Sequence, residues 1–305
     1  MQSLLDAFVP AIGLILFGQL CRRRAWFSPA FWADAERLVF YVFLPALLLV
    51  ATATVELTRL PVAGLLGAVL VGLAAGTLAC LALWPALRPD AAGWSSALQG
   101  GIRFNNLVGF ALTAPLFGAE GVALAAVMVG LMVPPINVIC VVAFAGAGLS
   151  GRRPGVLGMA MQVVKNPLIL SCVGGLALNV LGIGLPAGVG PILRALGQGA
   201  VALGLMAVGA ALTLGALTSR PLLQLAVLGI KLVLVPAVVW GAGRVFGLEG
   251  AALAVAVLFM GLPTASSSYI MARQMGGDAP LMAALTTTEH LAAVLTLPLW
   301  IALLR

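Results

Sequence analysis

Residues 256–278 read AVLFMGLPTASSSYIMARQMGGD, and residues 102–118 read IRFNNLVGFALTAPLFG. Each belongs to an apolar segment long enough to cross a bilayer, and each is interrupted by polar residues. Hydrocarbon offers no hydrogen bonds to an opened backbone, so such interruptions persist only where protein or a watery cavity surrounds them. Their positions correspond in the two halves of the chain, which is the strongest sequence pointer to a carrier's binding site.

The composition around them is that of a membrane protein. Of 305 residues, 62% are hydrophobic and 8% charged, against about 25% charged in soluble domains. The first apolar stretch, Leu4 to Leu20, has no basic flank or small-residue cleavage site before it, and we read it as a membrane helix rather than a removable leader. Ten spans of about 20 apolar residues are expected, at 3–20, 36–54, 61–84, 95–116, 120–146, 159–181, 194–216, 221–246, 249–274 and 280–304. The expected fold class is therefore an all-α polytopic membrane protein.

The net charge of +7 is assigned to topology, not to nucleic-acid binding. Arg22, Arg23, Arg24, Arg37, Arg88, Arg103, Arg152, Arg153, Lys165, Arg220, Lys231 and Arg273 fall on one side of that layout, and Arg59, Arg194, Arg244 and Arg305 on the other. The positive-inside bias places the first loop in the cytoplasm and both termini outside it. The loop at 150–156, SGRRPGV, divides the chain into residues 1–149 and 155–305. Five helices in each half force opposite orientations, an inverted repeat in which broken helix four matches broken helix nine.

Several polar residues are candidates for chemistry. Asn105 and Asn106 offer amide donors and acceptors within the membrane. Arg103 is placed to attract an anion. In GLPTASSS (261–268), Pro263 removes a backbone donor, Thr264, Ser266, Ser267 and Ser268 supply hydroxyls, and the restarting helix presents N–H groups suited to an anion. Asn137 follows Pro134 and Pro135. Glu289 and His290 lie about 13 Å along helix ten from Pro280, near mid-membrane, where an ionisable group is a functional candidate, here for coupling to a proton. Asn166-Pro167 is expected to cap and start helix six. His290 is the only histidine, and Cys21, Cys80, Cys140 and Cys172 have no ligand spacing, so neither a metal site nor a cofactor is expected. There is no Walker loop, dinucleotide fingerprint or nucleophile elbow, which speaks against ATP-driven transport and against an enzyme.

The stretches 102–126, VPPINV (133–138), KNPLIL (165–170), 262–284 and LTLP (295–298) together resemble the auxin efflux carrier family of membrane permeases, in particular its bacterial branch. The resemblance covers nearly the whole length and is most specific at 262–284. It implies a fold like that of the bile-acid sodium symporters, with helices 1, 2, 6 and 7 as a scaffold that dimerises in relatives and helices 3–5 and 8–10 as a mobile unit. It implies an organic anion as substrate, either an auxin-like weak acid or a dicarboxylate such as malate or malonate. It carries substrate-site roles to Asn105 or Asn106 and to Pro263. One departure stands out: plant relatives have a proline where this chain has Asn105-Asn106. The expectation is a secondary transporter in the bacterial inner membrane, working by elevator-type alternating access. The alternatives are a sodium- or proton-coupled uptake symporter, a channel, and a membrane sensor or binding protein that does not transport.

Overall fold

A computed structural model describes residues 2–55, 60–148, 161, 164–213, 215 and 218–304. The expected boundary loop, with Arg152 and Arg153, and the cations Arg59 and Arg305 lie outside these residues. Every regular element among the described residues is helical: α1 (Gln2–Arg23), α2 (Pro29–Leu38), α3 (Leu44–Thr54), α4 (Val62–Leu87), α5 (Ala91–Ile102), α6 (Asn106–Gly146), α7 (Pro167–Val180), α8 (Val189–Ala211), α9 (Pro221–Gly229), α10 (Val235–Val245), α11 (Gly250–Met260), α12 (Ser267–Gln274) and α13 (Ala279–Leu303). A turn of π-helix joins α2 to α3 (Val39–Phe43) and another joins α9 to α10 (Ile230–Leu234). Within α6, Gly118 leaves helical space at φ 61° and ψ −151°. A side chain is excluded from that conformation, so the stretch is two helices meeting at a glycine.

Among the described residues, six helical stretches are long and apolar enough to span a bilayer: Leu4–Arg23, Pro29–Thr54, Val62–Leu87, Ala91–Gly146, Val189–Ala211 and Pro221–Val245. Pro167–Val180 and Gly250–Met260 are apolar but shorter. With so few charges to face water, the chain is an integral membrane protein. Boundaries move where local chemistry moves them. The second span begins at Pro29 rather than near 36, because the Ser28 hydroxyl accepts from the Phe31 N–H at 3.1 Å and caps α2. Asn166 caps α7 as expected, its side-chain oxygen accepting from the Leu168 N–H at 2.9 Å.

The helices form two compact units built from alternating parts of the chain. The first holds Met1–Leu60, Leu107–Leu131 and Val156–Ala211, and the second Pro61–Asn106, Met132–Gly155 and Leu212–Arg305.

The first unit is packed through small residues. A Cβ on Gly18 would strike the Met206 carbonyl, and one on Gly209 the Ile15 carbonyl, so α1 and α8 touch backbone to backbone. Lipid tails give helices no hydrophobic drive to associate, and such close approach supplies the dispersion contact instead. Gly175 does the same for α7 against Leu49 and Thr52 of α3. The Asn179 amide then donates to the carbonyls of Thr52 (3.1 Å) and Val55 (2.7 Å), satisfying the end of α3.

In the second unit, Gly72 and Gly76 of α4 face Val239 and Val235 of α10. Pro236 has no N–H to offer the Leu232 carbonyl one turn earlier. The Trp300 indole N–H of α13 donates to that carbonyl at 2.9 Å instead. One arginine gathers three helix starts. Asp90 caps α5 and Asp278 caps α13. Arg220, at the start of α9, donates to both Asp90 oxygens (2.8 and 2.9 Å) and to Asp278 (2.9 Å).

The hydrogen bonds from Arg220 hold the Asp90 carboxyl below its ordinary range. A carboxylate depressed in the folded state stabilises above its unfolded pKa and loses that contribution as pH falls through the folded value. Asp90→Asn keeps a capping oxygen but loses the charge. It is expected to destabilise the detergent-purified protein by up to about 1 kcal/mol at neutral pH, the scale of a partly exposed pair. The difference in Tm from wild type should close below about pH 4; a gap of constant size across pH would show that the charge is not the cause.

Candidate functional site

The two interrupted helices meet. Helix α5 stops at Ile102, Arg103 is extended (φ −74°, ψ 157°), and α6 begins at Asn106. Helix α11 stops at Met260 and α12 begins at Ser267. Pro263 enforces the second gap, because it lacks an N–H and steers Leu262 away from helical geometry. Between the gaps, the Asn105 backbone N–H donates to the Pro263 carbonyl at 2.8 Å. The first break thus occurs without a proline, beside the Gly100-Gly101 pair. Gly100 also leaves room for Leu285 and the Glu289 Oε1.

One face of the crossing is sealed by a polar web from α13. The His290 Nδ1–H donates to the Thr286 carbonyl at 2.6 Å, which leaves Nε2 to accept from the Asn105 side-chain amide at 3.2 Å. This assigns the neutral Nδ1–H tautomer from the network. The Thr264 N–H donates to the Glu289 Oε2 at 2.7 Å. The hydroxyls of Thr264 and Ser268 lie 3.1 Å apart and bond to each other. Glu289, Thr264 and Ser268 are fully buried, and Asn105 and His290 nearly so.

Lys231 completes the web, and its place differs from the loop position its charge suggested. It lies in the π-helical turn between α9 and α10, fully buried, and donates to the Met260 carbonyl at 3.0 Å. Its ammonium also stands over the Phe104 ring at 6.0 Å. The signal was present: a single lysine in LAVLGIKLVLVPAVVW (225–240) sits well inside an apolar span, where a charge has to be paired.

The other residues of the crossing are less enclosed. The Arg103 guanidinium reaches the Met271 sulfur at 3.0 Å and the Ser267 hydroxyl at 3.5 Å, and has no carboxylate partner among the described residues. Ser267 is exposed, and Arg103, Asn106 and Ser266 are partly so. Among the described residues, the Asn106 Oδ1 and Ser266 Oγ have no hydrogen-bond partner, nor do the buried amide of Gln99 and the Glu289 Oε1. Buried polar atoms without partners are uncommon and cost free energy unless a ligand or water meets them. Asn137 is half-buried on α6, and nothing ties it to the crossing.

The structure therefore divides the expected candidates. Asn105, Pro263, Thr264, Ser268, Glu289 and His290 hold the crossing together. Arg103, Asn106, Ser266 and Ser267 retain bonding capacity. No group of three or more metal-ligating side chains occurs among the described residues.

Residues 157–301 match the family model of Mem_trans, described as membrane transport protein. The match takes in the second break, Lys231, Glu289 and His290. No curated protein matches the chain.

Removing the Asn105 amide leaves the inward-facing His290 nitrogen unsatisfied. Asn105→Leu is expected to cost about 1–3 kcal/mol, read as a lower Tm in detergent. An unchanged Tm would mean that this bond does not support the crossing.

Proposed function

We propose that this chain is a secondary transporter of a small organic anion, of the auxin efflux carrier type, and that the crossing is its substrate site. The observation that carries the proposal is the bond between Asn105 and Pro263, which brings two helix breaks together beside an arginine with no carboxylate partner among the described residues. The match to membrane transport proteins over residues 157–301 supports transport. Arg103 supplies the charge, and Ser266 and Ser267 supply hydroxyl donors. Asn106 orients the cargo through its amide. In this reading ten spans form two inverted five-helix repeats in an inner membrane, with both termini outside the cytoplasm. A scaffold mediates dimerisation, and the unit bearing the crossing shifts between the two sides. The anion is an auxin-like acid or a dicarboxylate.

The test is counterflow of labelled carboxylates in proteoliposomes. Arg103→Gln is expected to raise the half-saturating concentration at least about tenfold, consistent with loss of a charge-assisted bond. Asn106→Ala is expected to abolish flux while the protein still expresses. Wild-type flux in both variants would remove the site from the crossing.

A potential that is negative inside favours export of an anion by about 2.3 kcal/mol per charge per 100 mV. A second reading, uptake coupled to a proton or a sodium ion, is favoured by the unpartnered Glu289 Oε1. Under proton coupling, Glu289→Gln flattens the pH dependence of flux. A pH profile equal to wild type would reject it.

A further inference from the structure

Helix α1 ends in a turn that an alanine enters at a cost. Ala25 has φ 52°, in the left-handed region that a Cβ disfavours. The Trp26 N–H donates to the Cys21 carbonyl at 3.1 Å and the Ala25 N–H to the Arg22 carbonyl at 3.0 Å, the paired closure of a Schellman motif. Backbone strain of this kind persists where the surrounding structure fixes the chain's direction. The turn displays three consecutive arginines and then aromatic rings. Arg22 donates to the Ala210 carbonyl of α8. Arg23 and Arg24 are exposed and meet no carboxylate among the described residues.

The Arg24 N–H still donates to the Leu20 carbonyl at 2.9 Å, so Arg24 follows the helical path in line with Leu20 and Phe17. Both of those residues and Leu16 are exposed, although they belong to a membrane span. Trp26 is 59% exposed and turns back to set its ring 6.2 Å from that of Phe17. Phe27 and Phe31 are exposed and stack at 4.5 Å, and each meets the buried Trp32 edge-on. Trp32 packs with Cys21, Ala207 and Ala210, which anchors the rings to the first unit.

We infer that this corner binds the headgroup of an anionic glycerophospholipid. The chemistry along α1 runs in the order of such a lipid. Leu16, Phe17 and Leu20 offer apolar surface to an acyl chain. Trp26 stands at the polar boundary, where indole rings collect. Arg23 and Arg24 present guanidinium donors to the phosphate, a pairing of matched geometry and opposite charge. Basic residues directly beside a membrane span attract anionic lipids, and the bilayer around the chain supplies them. A second copy of the chain would instead bring another set of unpaired arginines to the same seam, with like charges opposed. The fixed turn and the anchored rings lower the ordering cost of binding. No residue of the crossing takes part, and the inference is independent of which anion is carried.

The experiment is thermal unfolding of the detergent-purified chain with dioctanoylphosphatidylglycerol, with dioctanoylphosphatidylcholine, or with glycerol 3-phosphate. The wild-type Tm is expected to rise by at least about 3 °C with phosphatidylglycerol, as for a ligand bound only by the folded state. No rise is expected with the other two. Arg23→Gln combined with Arg24→Gln is expected to keep the wild-type Tm without lipid, since both side chains are exposed, and to lose the rise. Arg24→Glu, which opposes the phosphate with a like charge, is expected to lose it as well, and Trp26→Ala to reduce it. Arg194→Gln is expected to retain the full rise. Arg194 is also exposed but lies toward the other end of α8 from Ala210, about 24 Å along the axis. An equal rise with phosphatidylcholine overturns the inference, as does a rise that survives in the arginine variants. A rise with glycerol 3-phosphate alone would assign the corner to a soluble phosphate. A mass by light scattering that halves in the arginine variants would assign it to a second chain. Either result overturns the lipid assignment.

Discussion

A severed backbone bond in a medium without water is the constraint around which the second unit is organised. An unmet carbonyl or N–H costs several kcal/mol in hydrocarbon, so the gap between Met260 and Thr264 survives only if other parts of the chain satisfy it. Lys231 and Glu289 do so from two helices. Both side chains are fully buried, where a charged group left without a hydrogen-bond partner is costly. The break therefore dictates that α9–α10, α11 and α13 converge at one level. The bond from Asn105 to Pro263 then ties α5 and α6 to the same point.

Neighbouring residues at the crossing take different roles because adjacent positions point in different directions. Asn105 turns its amide to His290, whereas Asn106 keeps an oxygen unmet. Thr264 and Ser268 bond to each other, whereas Ser266 Oγ has no partner among the described residues and Ser267 meets Arg103. One side of the crossing is thereby cemented and the other retains donors and positive charge. A hydrogen-bonded backing behind a front with open donors is consistent with the substrate site proposed above.

Proline and glycine serve the same accounting elsewhere. Pro236 strands the Leu232 carbonyl, and the Trp300 indole meets it from α13. Gly18 and Gly209 remove the side chains that would keep α1 and α8 apart. In each case a residue that weakens an isolated helix is compensated by a neighbour, which is possible only in a packed bundle.

Much of this was legible in residue order. Sparse charge and long apolar runs determined a membrane protein of helices. The run GLPTASSS marked the break after Met260, because proline and its missing donor act locally. The caps at Asn166 and Asp90 obey equally local rules, though only Asn166 was picked out. Lys231 was misplaced, since a lysine in a membrane sequence reads first as a loop charge and nothing nearby announces the distant carbonyl it serves. Which asparagine seals and which stays open was also undecided, because that depends on where α13 brings His290. Sequence alone determined the helices and where they fail, as these follow from local backbone chemistry. Only tertiary structure decided how each failure is met, because the partners lie 25 residues or more away along the chain and are selected by packing.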